Sequence, residues 1–315
     1  MGCPIHNIIG IRSRHTRSAI GSKLRPVIDY HDEQLEYCDA SQATESFWDT
    51  KAERSNGITH LAVGEDDPWA SRCIDRAQRP IVRRAIKSIA DALGQGEKRV
   101  LDLGCGVGRW IRDLTERFAH YEGVDISNAM LEIAREKHPQ HRFSKLENMT
   151  VDIEDEFFDF VLSIAVLHHN SYDNQSKMLA EVNRVIRPGG ELLMFEAIGQ
   201  STDQSVAVFY PRSSADWIAL AEQNGFEFVR KTGTAYYILA DMVTRIIGSR
   251  SWLKTWLGRT CLWFDSILTP LISKVLPERF HIRSLLRFRK VVSDRTAKGI
   301  ESLHSAEVVR PVYQS

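Results

Sequence analysis

A glycine-rich turn near residue 100 is the first feature of the sequence that could carry chemistry. In the segment VLDLGCGVGRW, the mainly apolar residues 100–103 lead into Gly104, Gly106 and Gly108. Glycine permits positive φ angles and lets a ligand approach the backbone, and a helix beginning at about Val107 would present unpaired N–H groups. The pattern predicts a buried strand that ends at a binding site for a nucleotide-like ligand.

The spacing of these glycines differs from two other nucleotide-binding motifs. In the dinucleotide motif G-x-G-x-x-G the third glycine falls one residue later, where this chain has Arg109. The phosphate-binding motif G-x-x-x-x-G-K-[ST] is absent from the sequence. Asp102, just before the turn, suits a cationic or amine-bearing ligand better than a pyrophosphate. An NAD(P)-dependent oxidoreductase is therefore the alternative hypothesis.

Asp125 ends the next predicted strand, in the segment YEGVD. At that position a carboxylate can accept two hydrogen bonds from the hydroxyl groups of a ribose. Asp125 could instead do no more than open the following helix, whose first turn contains Ser127 and Asn128. Its place at a strand end beside the glycine turn favours the ribose interpretation.

Two consecutive histidines, His168 and His169, follow the apolar segment FDFVLSIAVL. Histidine has an unperturbed pKa near 6.5 and suits a general base that takes a proton from an acceptor. The pair could equally contact a cofactor or pack a loop. Catalytic and structural roles both stay open for these two residues.

The elements that must position these residues alternate along the chain. Short apolar segments read as strands, and they are VLDL, YEGVD, FDFVLSIA and ELLMFE. Amphipathic helices separate them, for example one with Met178, Leu179 and Val182 on a single face. This alternation predicts an α/β fold, namely a Rossmann-like, doubly wound, mainly parallel sheet with helices on both faces.

The flanking segments have a different character. We expect residues 1–40 to be a flexible tail, 41–96 an N-terminal helical lid, and 97–235 the ligand-binding core. Residues 236–295 are expected to form a C-terminal helical insertion, basic and aromatic, and 296–315 a C-terminal segment. Within the insertion, residues 245–290 hold ten Lys or Arg against only Asp265 and Glu278, together with three tryptophans.

Composition excludes several classes of protein. The 315 residues carry 41 Lys+Arg against 41 Asp+Glu, so no field of the whole protein draws it onto nucleic acid. The five cysteines are scattered and form no CxxC pair, which argues against a disulfide framework or a metal site. No apolar run approaches the length of a membrane-spanning helix. We expect a cytoplasmic protein, either free or peripheral to a membrane.

Taken together, four ordered segments resemble the class I S-adenosylmethionine-dependent methyltransferases. The segments are VLDLGCGVG, YEGVDIS, FDFVLSIAVLHH and VNRVIRPGGELLMFE, and the resemblance covers residues 98–232. It implies S-adenosyl-L-methionine as the cofactor and a small molecule as the usual acceptor. The implied reaction is an in-line displacement that requires no metal and no covalent intermediate.

The resemblance also implies roles for individual residues. The methionine part of the cofactor would lie against Asp102 and the backbone of Gly104, Cys105, Gly106 and Gly108. Asp125 would bind the ribose and Ile126 would pack on the adenine, whose amine would meet either Glu147 or Asn148. Ala165 and His168 would close the site from the other side.

The acceptor is less defined than the cofactor. The Trp, Leu and Arg content of 245–290 is typical of an interfacial amphipathic helix pair, which would favour a lipid-linked acceptor and peripheral membrane contact. A structural cap or a homodimer contact explains the same composition. Nucleic acid is disfavoured because the basic residues are interleaved with aliphatic ones. A non-catalytic membrane-associated protein that keeps the fold is a second alternative.

Overall fold

The computed structural model describes residues 40–54, 68–199, 208–234, 260–261, 263–268 and 283–292. The predicted tail, apart from residue 40, and the predicted segment 296–315 lie outside the described residues. The same holds for most of the predicted insertion 236–295.

Seven strands form a single sheet in the described part of the chain. They are β1 (Arg99–Leu103), β2 (His120–Asp125), β3 (Arg142–Lys145), β4 (Phe158–Ile164), β5 (Ile186–Ala197), β6 (Phe226–Thr234) and β7 (Arg283–Lys290). Their order is β3-β2-β1-β4-β5-β7-β6. Strands β1 to β5 pair in parallel, whereas β7 runs antiparallel to both β5 and β6. The prediction of a mainly parallel sheet is confirmed.

Six α-helices accompany the sheet in the described part of the chain, besides the helical residues 260–261 and 263–268. They are α1 (Ala40–Arg54), α2 (Pro68–Ala92), α3 (Ile111–Thr115), α4 (Asn128–Lys137), α5 (Tyr172–Val185) and α6 (Ser214–Gln223). Serine caps begin the last three helices: the side chains of Ser127, Ser171 and Ser213 accept N–H groups of the first helical turn. Because such a cap satisfies backbone donors that have no partner within the helix, it fixes where each helix starts.

Alternating side chains of the central strands build two cores, one on each face of the sheet. On one face, Phe160 and Leu162 pack with residues of α2, α3 and α4, including Ile86. On the other face, Val161 packs with residues of α5 and α6, including Trp217. The result is the expected three-layer arrangement of helices, sheet and helices, with the carboxyl ends of the parallel strands at one edge.

Strand β7 corrects the prediction for the C-terminal insertion. Residues 260–261 and 263–268 are helical as expected, but 283–290 form a strand between β5 and β6 and not part of a helical cap. The side chains of Leu285, Leu286 and Phe288 are buried in the two cores, which is why this segment joins the sheet. The core therefore includes residues beyond the predicted boundary at 235.

The basic residues of β7 also have a structural partner. The carboxylate of Glu191 on β5 is buried and accepts hydrogen bonds from Arg287 at 2.7 and 2.9 Å and from Arg289 at 3.0 Å. A buried carboxylate is tolerated when it is paired and hydrogen-bonded in this way. Pairing with Glu191 inside the sheet thus accounts for these two basic side chains on β7.

Candidate functional site

A cavity opens at the carboxyl edge of the sheet, where the glycine turn, the end of β2 and the loop after β4 meet. It encloses about 1130 Å³ of empty space, including the part that is open to solvent. The residues that line it come from α1, α2, α4, α5 and β7 and from the ends of β1 to β4 with the loops that follow them. They are Thr44, Trp48, Lys51, Ile74, Gln78, Gly104, Cys105, Gly106, Val107, Arg109, Trp110, Asp125, Ile126, Met130, Leu146, Ile164, Ala165, Val166, Asn170, Met178 and Arg283.

The three glycines of the turn serve different purposes. All have positive φ angles, of 70° at Gly104, 54° at Gly106 and 83° at Gly108. A Cβ atom on Gly104 would collide with the side chain of Val166, and one on Gly108 would lie 2.6 Å from Ile111 Cδ1. A Cβ on Gly106 would meet no protein atom within 4 Å. Gly106 therefore faces open space in which a ligand could approach the backbone.

Asp125 joins the end of β2 to the glycine turn. Its Oδ2 atom accepts a hydrogen bond from the backbone N–H of Gly106 at 2.8 Å, and its Oδ1 atom accepts one from Ser127 N–H at 3.0 Å. Burial raises the pKa of this carboxyl group, while the two N–H groups act in the opposite direction. Each carboxylate oxygen can accept a further hydrogen bond. Asp125 lines the cavity, so a ligand hydroxyl group can reach those remaining positions.

Asp102 lies behind the turn and does not line the cavity. It is buried, and the hydroxyl group of Tyr121 donates a hydrogen bond to its Oδ2 atom at 3.1 Å. Burial raises the pKa of Asp102 to about 7, and the neighbouring Asp125 contributes in the same direction. Its protonation therefore changes near neutral pH, and direct contact with a ligand stays a prediction. Gly108 is likewise a support of the turn and not a lining residue.

The wall next to Asp125 is apolar. Ile126, Met130 and Leu146 line the cavity there. Glu147 and Asn148, the two candidates for contact with an adenine amine, are exposed and do not line it. The chain turns away directly after Leu146, where Asn148 has a positive φ angle of 51°. A flat, apolar ligand surface fits this wall. Because neither Glu147 nor Asn148 lines the cavity, the structure does not show the polar contact that the sequence predicts for one of them.

The loop after β4 forms the opposite wall through Ala165 and Val166. Ala165 has a positive φ angle of 61°, a conformation that non-glycine residues adopt only when their surroundings hold it. The buried carboxylate of Glu196 supplies that support, because it accepts backbone N–H groups of Val166, Leu167 and His168 at 3.2–3.4 Å. Burial raises the pKa of Glu196 to about 7, although these N–H groups oppose the shift.

His168 and His169 lie behind this wall and not on it. Nδ1 of His168 is 2.5 Å from Glu196 Oε2, and Nδ1 of His169 is 2.8 Å from the carbonyl oxygen of Val208. Burial lowers the pKa of both histidines well below its usual value, and a nearby charge, that of Arg283, adds to the shift. Both rings are therefore neutral, and each Nε2 atom has no hydrogen-bond partner within the described residues. The geometry favours a packing role, and their catalytic role stays a prediction.

Helix α1 contributes Thr44, Trp48 and Lys51 to the cavity lining, and polar contacts hold it to β3 and to the start of α4. Oδ1 of Asp49 accepts the Ser127 hydroxyl at 2.6 Å and the Ala129 N–H at 3.2 Å, at the start of α4. Lys145 donates to Glu45 at 2.7 Å. The ring of Trp48 lies 5.1 Å from that of His169. These contacts hold α1 beside the cavity that Trp48 lines, and its role as an N-terminal lid stays a prediction.

Several lining residues were not predicted from the sequence. Arg109 lies against Asp75 at 2.8 Å and Gln78 at 2.8 Å, with its guanidinium 4.5 Å from the centre of the Trp110 ring. Arg283 reaches the cavity from the start of β7. Arg109 directly follows the glycine turn, but its partners Asp75 and Gln78 come from α2. Arg283 lies on β7, far from the turn in sequence, so no local spacing could indicate it.

The comparison with protein families agrees with the fold. Residues 100–190 match the family model described as "Methyltransferase domain". The resemblance to the class I S-adenosylmethionine-dependent methyltransferases found in the sequence is confirmed over this part of the chain. Nothing in the comparisons favours the dinucleotide-binding alternative.

Similarity to individual proteins is limited to this domain. A phthiotriol/phenolphthiotriol dimycocerosates methyltransferase 1 of Mycobacterium ulcerans (strain Agy99) is 39% identical over 100 residues, which are 30% of this chain and 36% of the relative. A tRNA (carboxymethyluridine(34)-5-O)-methyltransferase of Arabidopsis thaliana is 32% identical over 120 residues, which are 38% of this chain and 29% of the relative. The chain thus spans roughly a third of these relatives.

Among solved structures, geranyl diphosphate C-methyltransferase of Streptomyces coelicolor A3(2), in complex with Mg²⁺, geranyl diphosphate and S-adenosyl-L-homocysteine, shares the fold. The two superpose with a TM-score of 0.53 and 13% identity, over 81% of this chain and 100% of that one. Since one relative is named for a lipid and another for tRNA, the expectation that nucleic acid is excluded as an acceptor finds no support. No helix in the described part of the chain is long and apolar enough to cross a membrane.

Proposed function

We propose that the protein transfers a methyl group from S-adenosyl-L-methionine to a small or lipid-associated acceptor. The observation that carries the proposal is the hydrogen bond between Asp125 and the glycine turn. There the carboxylate holds the Gly106 N–H at 2.8 Å beside a stretch of backbone that faces open space. A ribose would bind beside this contact, because one carboxylate can accept hydrogen bonds from both of its hydroxyl groups.

The remaining parts of the cofactor would be held by the neighbouring walls. Ile126, Met130 and Leu146 offer an apolar surface for the adenine. The methionine part would extend along Gly104 and Cys105 towards Ala165 and Val166. Bound S-adenosyl-L-methionine supplies an activated methyl group on a sulfonium. Little chemistry is therefore left to the protein besides alignment of the acceptor within about 3–3.5 Å and exclusion of water.

Residues of α1 and α2 are suited to exclude that water. Trp48 from α1 and Ile74 from α2 line the cavity, while Arg283 and Asn170 supply polar groups on the acceptor side. An acceptor that must lose a proton would need a base, and the neutral, buried imidazoles of His168 and His169 could serve only if the acceptor or a water reached an Nε2 atom.

Relatives support methyl transfer and leave the acceptor class broad. One is named for a lipid substrate and one for tRNA, and the neighbour with the same fold was solved with an isoprenoid diphosphate. We favour a small or lipid-associated acceptor because the cavity is bordered by α1 and has a largely apolar lining, which suits a compact apolar group.

Calorimetric titration with S-adenosyl-L-homocysteine tests the cofactor assignment. We expect Asp125→Asn to weaken binding by about 10- to 100-fold, since hydrogen bonds to a charged acceptor contribute roughly 1.5–3 kcal/mol. Glu122→Gln, in the middle of the same strand and outside the cavity, is the control and should bind normally. Unchanged affinity in Asp125→Asn would overturn the ribose assignment.

Two further measurements separate the alternatives. Titration with NADH distinguishes an oxidoreductase, which would bind the dinucleotide and ignore S-adenosyl-L-homocysteine. Incubation with methyl-labelled S-adenosyl-L-methionine and the separated lipid, nucleic acid and aqueous fractions of a cell extract identifies the acceptor class. Label in the nucleic acid fraction would replace the acceptor proposed above, and binding without transfer to any fraction would favour the non-catalytic alternative.

A further inference from the structure

The helical segment Trp263–Leu268 has an inverted distribution of polar and apolar side chains. Trp263, Phe264, Ile267 and Leu268 are 37–47% exposed. The polar residues between them, Asp265 and Ser266, are only 5% and 3% exposed. A surface helix of a globular protein normally shows the opposite pattern, with its apolar side chains turned inwards.

Helical geometry places the four apolar side chains on one face. At about 100° per residue, Trp263, Ile267, Phe264 and Leu268 span an arc of about 140°. Asp265 and Ser266 lie on the opposite arc, towards the protein. The rings of Trp263 and Phe264 are in edge-to-face contact, with their centres 5.1 Å apart. We name these four side chains the apolar face. Its continuity distinguishes it from the single exposed apolar residues that any surface carries.

The sequence around the apolar face is basic. Of the ten Lys or Arg in residues 245–290, Arg287, Arg289 and Lys290 on β7 pair with Glu191 or Glu156, and Arg283 lines the cavity. The other six lie in the sequence on both sides of the apolar face, and they are Arg245, Arg250, Lys254, Arg259, Lys274 and Arg279. The same stretch holds two acidic residues in sequence, Glu278 and Asp265, and the side chain of Asp265 is buried.

We infer that the apolar face docks on the surface of an anionic lipid bilayer. Exposed aromatic and aliphatic side chains insert at the boundary between headgroups and acyl chains, and flanking basic residues add attraction to anionic headgroups. A second copy of this chain is a poorer occupant, because docking of two such faces would bring two basic segments together. The inference goes beyond methyl transfer and rests on the proposed function only where it favours a lipid-associated acceptor.

Sedimentation of the full chain with lipid vesicles tests the inference. We expect the protein to sediment with vesicles of phosphatidylcholine and phosphatidylglycerol, less with phosphatidylcholine alone, and less at high salt because the charge attraction is screened. Trp263→Ser combined with Phe264→Ser should reduce the partition coefficient at least about tenfold, since each large apolar side chain that leaves water contributes on that order. Protein that stays in the supernatant with both vesicle types would overturn the inference.

A matched control variant and two further readouts make each outcome informative. Val291→Ser combined with Val292→Ser changes two other exposed apolar residues, 53% and 41% exposed, and should bind vesicles like the unchanged chain. Equal loss in both variants, or no loss in the first, would overturn the inference. Analytical ultracentrifugation that shows a dimer broken by the first variant would instead assign the apolar face to a second copy. Titration with S-adenosyl-L-homocysteine checks folding and reports separately on the proposed function.

Discussion

Gly106 lines the cavity with no protein atom opposite its backbone. Its φ angle of 54° is positive. A Cβ atom built on it would point into open space, with no protein atom within 4 Å. The neighbouring Gly104 differs, because there a Cβ would collide with Val166 even without a ligand. The two glycines of one turn thus differ: packing against Val166 requires glycine at 104, whereas at 106 we propose that the open space admits a ligand.

This difference predicts separate outcomes for two alanine variants. Gly106→Ala should fold with a loss of about 1–2 kcal/mol, the usual cost of a left-handed conformation for a residue with a Cβ. Its affinity for S-adenosyl-L-homocysteine should fall at least about tenfold, because the methyl group occupies ligand space. Gly104→Ala should lose more stability. Thermal unfolding and calorimetric titration measure both effects, and normal ligand binding by Gly106→Ala would contradict the assignment.

At the scale of elements, α1 is held to the core by a polar contact at the start of α4. The carboxylate of Asp49 accepts both the Ser127 hydroxyl and the Ala129 N–H, so it caps one helix from another. Ser127 itself caps α4 and donates its N–H to Asp125. The contact therefore connects α1 to the residue proposed to bind ribose.

Asp49→Ala should loosen α1 while leaving the sheet intact. Loss of a capping acceptor costs about 0.5–2 kcal/mol, and we expect faster amide hydrogen exchange in α1 together with weaker binding of S-adenosyl-L-homocysteine. Glu53→Ala is the matched control, since Glu53 is an exposed residue of the same helix. If both variants exchange at the same rate as the unchanged chain, Asp49 does not hold α1 in place.

Strand β7 depends on the buried carboxylate of Glu191. Glu191→Gln removes the charge that Arg287 and Arg289 neutralise, so we expect a loss of about 3–5 kcal/mol in the free energy of unfolding. Glu227→Gln on β6 changes an exposed glutamate of the same sheet and should cost little. Chemical denaturation of both variants tests this, and equal stability would show that the arginines are not needed for insertion of β7.

For the whole molecule, the predictable parts are those encoded by short, local patterns. The strand, glycine turn and helix around Gly104 lie within one stretch of chain, and Asp125 ends the next strand, so spacing alone located both. Arg283 could not be found in this way, because it reaches the cavity from β7, far from the glycine turn in sequence. The sequence predicts a helical cap for the segment RSLLRFRK, because its basic residues resemble those of the preceding segment. The pairing of Arg287 with Glu191 is visible only in three dimensions.

His168 and His169 show a second reason why the sequence alone does not define the site. Their residue type and position indicate a general base, whereas burial decides their protonation, and burial depends on packing against Glu196 and Trp48. Asp102 shows the same dependence. Its sequence position suggested an ionised partner for a cationic ligand, but burial raises its pKa to about 7.

The raised pKa of Asp102 makes the stability of the whole protein depend on pH. The folded value of about 7 lies above the ordinary value of 3.8, so the folded protein binds the extra proton between these two pH values. The stability that Asp102 contributes is therefore fully present below about pH 4 and is lost as pH rises through 7. At 1.36 kcal/mol for each unit of pKa, the change is at most about 4 kcal/mol.

Asp102→Asn isolates this effect from the opposite contribution of the buried histidines. Their lowered pKa values remove stability as pH falls below about 6.5, so the unchanged chain shows only the sum of both trends. The difference in unfolding free energy between the unchanged chain and Asp102→Asn should fall steadily from pH 4 to pH 7 in the absence of cofactor. Urea denaturation across this range measures it. A difference that is constant from pH 4 to pH 7 would show that Asp102 is ionised in the folded protein over this whole range. Burial behind the turn would then not raise its pKa.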